Sequence, residues 1–200
     1  MKKLHIIASP RGERSKSKML GEYVLSKMTG EKETLDLNAV EVPFLTNGVI
    51  AYDYGFALME DLSVEDKKIA TIQNKFVKQI LEADEIVISA PLWNFSLPAI
   101  LKAYFDLILK MGDTVKMEDG NFVGLTTNVK KAYLVLTKGG FYEGHPWQSI
   151  DMIESLIRQD LNFIGITNIE VITLEGANRL DEETLESKVE ELKMQIDSKL

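Results

Sequence analysis

Two hydrophobic rhythms alternate along the chain: short, nearly continuous apolar runs, and longer stretches in which apolar residues recur every three or four positions. Lys3 to Ala8, with Ile6 and Ile7, reads as a buried strand. Ser15 to Met28 carries Leu20, Tyr23, Val24 and Met28 at helical spacing. Glu33 to Leu37 is a short edge-like strand. Residues 43–62, with Pro43, Gly48, Gly55 and several aromatics, read as irregular. Ser63 is placed to cap a helix running to Ala83, with Ile69, Ile72, Phe76 and Ile80 on one face. Glu85 to Ala90 is a β-branched strand ended by Pro91. Leu97 to Met111 predicts a helix with a wide apolar stripe. Asp113 to Gly124 predicts a β-hairpin turning at Gly120. A strand over Ala132 to Thr137, a helix over 148–163, a strand over Asn168 to Leu174 and a closing helix capped by Asp181 complete the pattern.

Five strands alternating with five helices predict an α/β fold. Continuous apolar strands need both faces covered, which means a parallel sheet between helical layers. Right-handed crossovers wind five such units into a three-layer sandwich, with the doubly wound strand order 2-1-3-4-5. Ligands of such sheets bind beyond the carboxyl ends of the strands. The functional loops are therefore expected after Ala8, Ala90 and Leu136. No linker or repeat divides the 200 residues, so one domain over 1–200 is expected.

Composition narrows the chemistry. The chain has no cysteine, which excludes disulfides, a thiol nucleophile and thiolate metal sites. Its two histidines, His5 and His145, lie far apart, so no metal is expected. The apolar run at the start is too short for a signal segment and no stretch is long enough for a membrane span, so a cytoplasmic protein is expected. A net charge of −8 argues against nucleic acid as partner. Residues 1–18, however, hold six basic side chains against Glu13 alone, a local +5. That contrast suggests one anion site on an acidic protein.

The three expected loops have distinct chemistries. Ser9 to Ser17 joins a strand to a helix N-terminus, where free N–H groups and the helix dipole favour an anion. Ser9, Ser15 and Ser17 add hydroxyls; Arg11 and Lys16 add charge. Neither the Walker A nor the G-x-G-x-x-G pattern is present, so a terminal phosphomonoester fits better than a triphosphate or a Rossmann-held dinucleotide. Pro91 to Pro98 sets Trp93, Asn94 and Phe95 between prolines, a stiff wall for a flat ligand. Thr137 to Tyr142 contains Gly139-Gly140, which lets backbone N–H groups approach a planar ring. Singly, the first loop could be a plain helix cap, the second core packing and the third an ordinary turn. Their shared position at successive strand ends favours one ligand.

At these residues the chain resembles the FMN-dependent NADH:quinone oxidoreductase and azoreductase family, a flavodoxin-like fold. The motifs are SPRGERSKS from Ser9, APLWNFSLPAILKAYFD from Ala90, TKGGFYEG from Thr137 and NFIGI from Asn162. The resemblance covers essentially the whole chain. It implies a homodimer with one FMN per subunit near the interface, NADH or NADPH as donor, and a quinone or azo compound as acceptor. Ser9, Ser15, Lys16 and Ser17 would hold the FMN phosphate. Leu92, Trp93, Asn94 and Phe95 would line the isoalloxazine and ribityl chain. Thr137, Lys138, Gly139 and Gly140 would contact the pyrimidine side, and Phe163 would lie near the substrate pocket. Some members carry Met-Tyr in place of Leu92-Trp93 and Ser-Arg in place of Thr137-Lys138, changes that bear on acceptor and donor preference.

The expected activity is two-electron transfer in ping-pong order, with the N–H groups of the Gly139-Gly140 turn stabilising charge on the reduced cofactor. Tyr142 and His145 are candidate proton donors, His145 being the more readily explained as an incidental surface group. The competing readings are a flavodoxin-type electron carrier without turnover of its own and a flavin-free binding domain.

Overall fold

The computed structural model describes residues 1–200. Strands β1 (Lys2–Ile7), β2 (Glu31–Asp36), β3 (Glu85–Pro91), β6 (Lys131–Thr137) and β7 (Ile169–Leu174) form one parallel sheet in the order β2-β1-β3-β6-β7. The antiparallel pair β4 (Val115–Glu118) and β5 (Asn121–Gly124) forms a separate hairpin. Counting the hairpin shifts the labels of the last two sheet strands; the five strands of the parallel sheet follow 2-1-3-4-5 in chain order. The hairpin turns at Asp119 and Gly120, both at positive φ, the backbone that a two-residue turn of matching twist requires.

Side chains alternate across the sheet, and each face is covered. Leu4, Ile6, Ile86, Ile88, Leu134 and Leu136 pack on one side against α3 (Val64–Glu82), α4 (Ala99–Ile108) and α5 (Ile153–Phe163). Val87, Tyr133, Val135 and Ile172 pack on the other against α1 (Lys16–Lys27) and α6 (Glu182–Lys199). Three caps follow the expected chemistry. Ser15, Ser63 and Asp181 accept from the N–H groups of Lys18, Asp66 and Thr184 at the starts of α1, α3 and α6.

The chain departs from the sequence reading in three places. The segment 43–62 is not irregular throughout: it contains α2 (Asn47–Asp53) and a single 3-10 turn at Met59–Asp61. α2 buries only Val49, too little to leave a hydrophobic rhythm. Polar ties hold it instead: Thr46 donates to Asp66, and Gln73 donates to Asp53 at 2.7 Å. The helix read to Met111 stops at Ile108. The Lys110 carbonyl accepts from the N–H groups of Asp113, Thr114 and Val115, and Gly112 takes φ 87°. The helix read over 148–163 begins only at Ile153, because Pro146–Ile150 is 3-10 and Asp151 is extended, its carboxylate 2.5 Å from Lys138.

Backbone bonds between neighbouring strand ends set the loops side by side. Ala8 N–H donates to Ser89 at 2.9 Å, Leu92 to Thr137 at 2.7 Å, and Lys138 to Leu174 at 2.8 Å. The loops after β1, β3, β6 and β7 thus leave the sheet at one edge. No helix is long and apolar enough to cross a membrane.

Candidate functional site

At that edge lies a cavity of about 250 Å³ whose walls come from all three expected loops: Ser9, Arg11, Ser15 and Lys16; Leu92 and Trp93; Thr137, Lys138 and Gly139. A contiguous recess of about 390 Å³ adds Asn94 and Gly140 and shares Leu92, Trp93 and Gly139. The two differ in character, one end rich in hydroxyls and cations, the other walled by indole rings and glycine backbone.

The polar end sits at the N-terminus of α1, where first-turn N–H groups have no helical acceptor. Ser15 and Ser17 are buried with hydroxyls 3.1 Å apart. Of the four cations around this helix start, only Lys18, in α1, is engaged by acids, Glu13 and Glu22. Arg11, Arg14 and Lys16 line the cavity without a carboxylate partner. Gly12 takes φ 55°, which bends the loop over the helix start.

The aromatic wall stands on a tight two-residue turn. Trp93 N–H donates to Ser96 at 2.9 Å, Ser96 N–H returns to Trp93 at 3.1 Å, and Asn94 and Phe95 both lie at positive φ, 49° and 67°. That backbone suits Asn but is strained for Phe. The turn is anchored where Met152 N–H donates to the Phe95 carbonyl at 2.9 Å. Trp93 is left half exposed.

The glycine loop is held from behind. Glu175 accepts from Tyr142 N–H at 2.8 Å, from Glu143 N–H at 3.2 Å and from Lys138 at 2.9 Å. Burial alone would raise the Glu175 carboxyl and lower the Lys138 ammonium. The N–H groups and Lys138 hold Glu175 below the usual carboxylate value, while Asp151 and Glu175 hold Lys138 above the usual lysine value. Lys138 therefore spends its charge on Asp151 and Glu175. The N–H groups of Gly139 and Gly140 have no acceptor within the protein, so two adjacent donors are free at the cavity wall.

Four singled-out residues lie differently. Ser17 is fully buried beneath Ser15. The Phe95 side chain lines neither cavity. Phe163 is at the far end of α5, its ring centroid 5.1 Å from that of Phe122. It lines an apolar groove with Leu45, Ile50 and Tyr54, outside the three-loop cleft of its own chain. His145 caps the 3-10 turn, its Nδ1 accepting from Trp147 N–H at 3.3 Å.

The loop after β7 was not anticipated. Gly176, Ala177 and Asn178 donate backbone N–H groups to the carbonyls of Gly140, Lys138 and Gly139 at 2.9, 3.0 and 3.0 Å. Asn178 borders both cavities and accepts from Arg11 at 3.5 Å. A Cβ on Gly139 would run into the Asn178 amide at 2.6 Å. The same strand-end rule that pointed to the other loops covers this one, but its residues, Glu175 to Leu180, carry no aromatic and no paired glycines.

The sequence profile described as flavodoxin-like fold matches residues 1–200. An FMN-dependent NADH:quinone oxidoreductase of Beijerinckia indica is 34% identical, over 89% of this chain and 90% of its own. FMN-dependent NADH:quinone oxidoreductase 1 of Idiomarina loihiensis is 34% identical over 91% of each chain. The crystal structure of an azoreductase from Bacillus anthracis superimposes with a TM-score of 0.84 at 29% identity, covering 99% of both chains. With its sheet order, its strand-end cleft and these relatives, the chain belongs to the flavodoxin-like family that includes FMN-dependent NADH:quinone oxidoreductases and azoreductases.

Proposed function

We propose that this protein is an FMN-dependent oxidoreductase that uses NADH or NADPH to reduce quinones and azo compounds. The observation that carries the reading is the two-part cleft: unpaired cations and serine hydroxyls at a helix N-terminus, continuous with an aromatic recess bearing two free backbone N–H groups. That donor set matches a phosphomonoester joined through a chain to a flat heterocycle. The names of the relatives support the same cofactor and substrate classes.

In this reading Ser9, Ser15, Lys16 and Arg11 would hold the phosphate, with buried Ser17 supporting Ser15 from beneath, and Leu92, Trp93 and Asn94 would form the wall for the ring and ribityl chain, with Phe95 shaping their turn through its backbone. Thr137, Lys138, Gly139 and Gly140 flank the pyrimidine side. FMN, when bound, supplies two-electron redox chemistry. The chain's part is to hold it, to exclude water with Leu92 and Trp93, and to aim the N–H groups of Gly139 and Gly140 at developing negative charge. Trp93 and Trp147 border a single recess, so donor and acceptor would occupy it in turn, the ping-pong order.

The whole chain, 1–200, acts as one FMN-binding domain in a cytoplasmic homodimer, where the nicotinamide pool resides. Phe44, Phe56, Phe122 and Trp147 are more than half exposed, apolar side chains of the kind that a second copy would cover. Phe163, outside its own cleft, would then approach substrate only across that interface.

The test is a spectrum of purified protein with FMN, taken before and after anaerobic NADH and again after menadione. Bleaching of the flavin band and its return on adding menadione are expected. Bound flavin with no steady-state NADH oxidation would instead indicate an electron carrier, and failure to take up FMN would indicate a flavin-free binding domain.

A further inference from the structure

We infer that Arg179 binds the pyrophosphate of the nicotinamide donor, an inference that rests on the oxidoreductase reading above. The aromatic recess is lined by Trp93, Trp147, Tyr142 and glycine backbone, and Arg179 is its one charged side chain. A planar ring with an anion a short linker away is the chemistry such a recess fits.

The other cations around the cleft are differently committed. Arg11, Arg14 and Lys16 gather at the serine end of the neighbouring cavity. Lys138 is held by Asp151 and Glu175. Arg179 has no ion-pair partner, and no carboxylate lines its recess. A guanidinium there is free to make a charge-assisted, two-pronged contact with phosphate oxygens.

Its backbone is fixed. Arg179 and Leu180 N–H donate to the Gly176 carbonyl at 2.8 and 3.0 Å, and Gly176 to Asn178 are bonded to the glycine loop. The arginine therefore stands on the same rigid unit as the Gly139 and Gly140 N–H groups, and a donor held by Arg179 is placed in register with the ring site.

The experiment compares FMN-loaded wild type with Arg179→Ala and Arg179→Lys. Two donors are used with menadione: NADH, and N-benzyl-dihydronicotinamide, which has no phosphate. The ratio of kcat/KM for NADH to that for the phosphate-free donor is expected to fall about tenfold in Arg179→Ala, mainly through KM, and less in Arg179→Lys. Calorimetric titration with ADP-ribose, which carries the pyrophosphate without the nicotinamide, is expected to show an equal loss of affinity. An unchanged donor ratio overturns the inference. So does an equal loss of affinity for FMN, which would place Arg179 on the cofactor. If wild type oxidises neither donor, it is the oxidoreductase reading that fails.

Discussion

His5 Nε2 lies 2.7 Å from Ser89 Oγ, across the β1–β3 pair and beneath α1, and both side chains are fully buried. His5 Nδ1 has no partner. Burial pushes the imidazole down from 6.5 to about 4, with Asp36 raising it and Lys18 lowering it by smaller amounts. The folded protein therefore keeps the ring neutral while the unfolded chain takes up a proton first. Its stabilising contribution is complete above pH 6.5 and is lost as pH falls toward 4, in total about 3 kcal/mol. Urea unfolding between pH 7 and 4 is expected to show this slope, and His5→Gln is expected to show less of it. Equal slopes would assign the acid lability to other groups.

Gly21 packs directly over that pair. A Cβ at this position would collide with Ser89 Oγ and meet His5 Nε2 at 2.6 Å. In an open helix Gly→Ala stabilises by roughly 0.5–1 kcal/mol. Here the contact reverses the sign, because α1 cannot lift without unpacking Leu20 and Val24 from the sheet. Gly21→Ala is expected to lower stability by about 1–3 kcal/mol in denaturant melts.

Ser15 serves two roles that a charge can separate. Its hydroxyl caps α1 by accepting from Lys18 N–H at 3.1 Å, and it borders the polar cavity. Ser15→Asp preserves the cap, so the stability of the FMN-free protein is expected to stay within about 0.5 kcal/mol. The new carboxylate repels a phosphate, so FMN affinity is expected to fall about a hundredfold by fluorescence titration. Riboflavin, without the phosphate, is expected to bind wild type and variant alike. A common loss for both ligands would place the phosphate elsewhere.

The strands and long helices were readable because burial writes itself as periodicity: Leu4, Ile6 and Ala8 on one face, Ile69, Phe76 and Ile80 on one stripe. α2 was not, because ties such as Asp53 with Gln73 span twenty residues and leave no local rhythm. The rule that ligands gather at strand ends points to the loops of Ser15, Trp93 and Gly139, and these residues line one cavity. Asn178 and Arg179 escaped because the loop after β7 announces itself by backbone bonds to the glycine loop, which no residue type encodes. The commitment of Lys138 likewise depends on non-local pairings: the β6–β7 register brings it to Glu175, and the segment before α5 brings Asp151.

Glu175 is the clearest case of a residue acting at a distance from the cavity it shapes. One carboxylate satisfies Tyr142 N–H, Glu143 N–H and the Lys138 ammonium. Glu175→Ala removes all three acceptor contacts and leaves Lys138 to Asp151 alone. Each orphaned donor near the surface costs about 1 kcal/mol, which is enough to free the loop locally without unfolding the sheet. Amide exchange at residues 139–143 is expected to accelerate about tenfold or more, while β3 and β6 stay protected. Because the folded Glu175 carboxyl titrates below its ordinary value of 4.5, its contribution holds above that pH and fades as pH falls further. Wild-type exchange in this loop should therefore approach that of the variant only in acid. Unchanged exchange in Glu175→Ala would mean that the backbone bonds from Gly176 to Asn178 suffice to hold the loop.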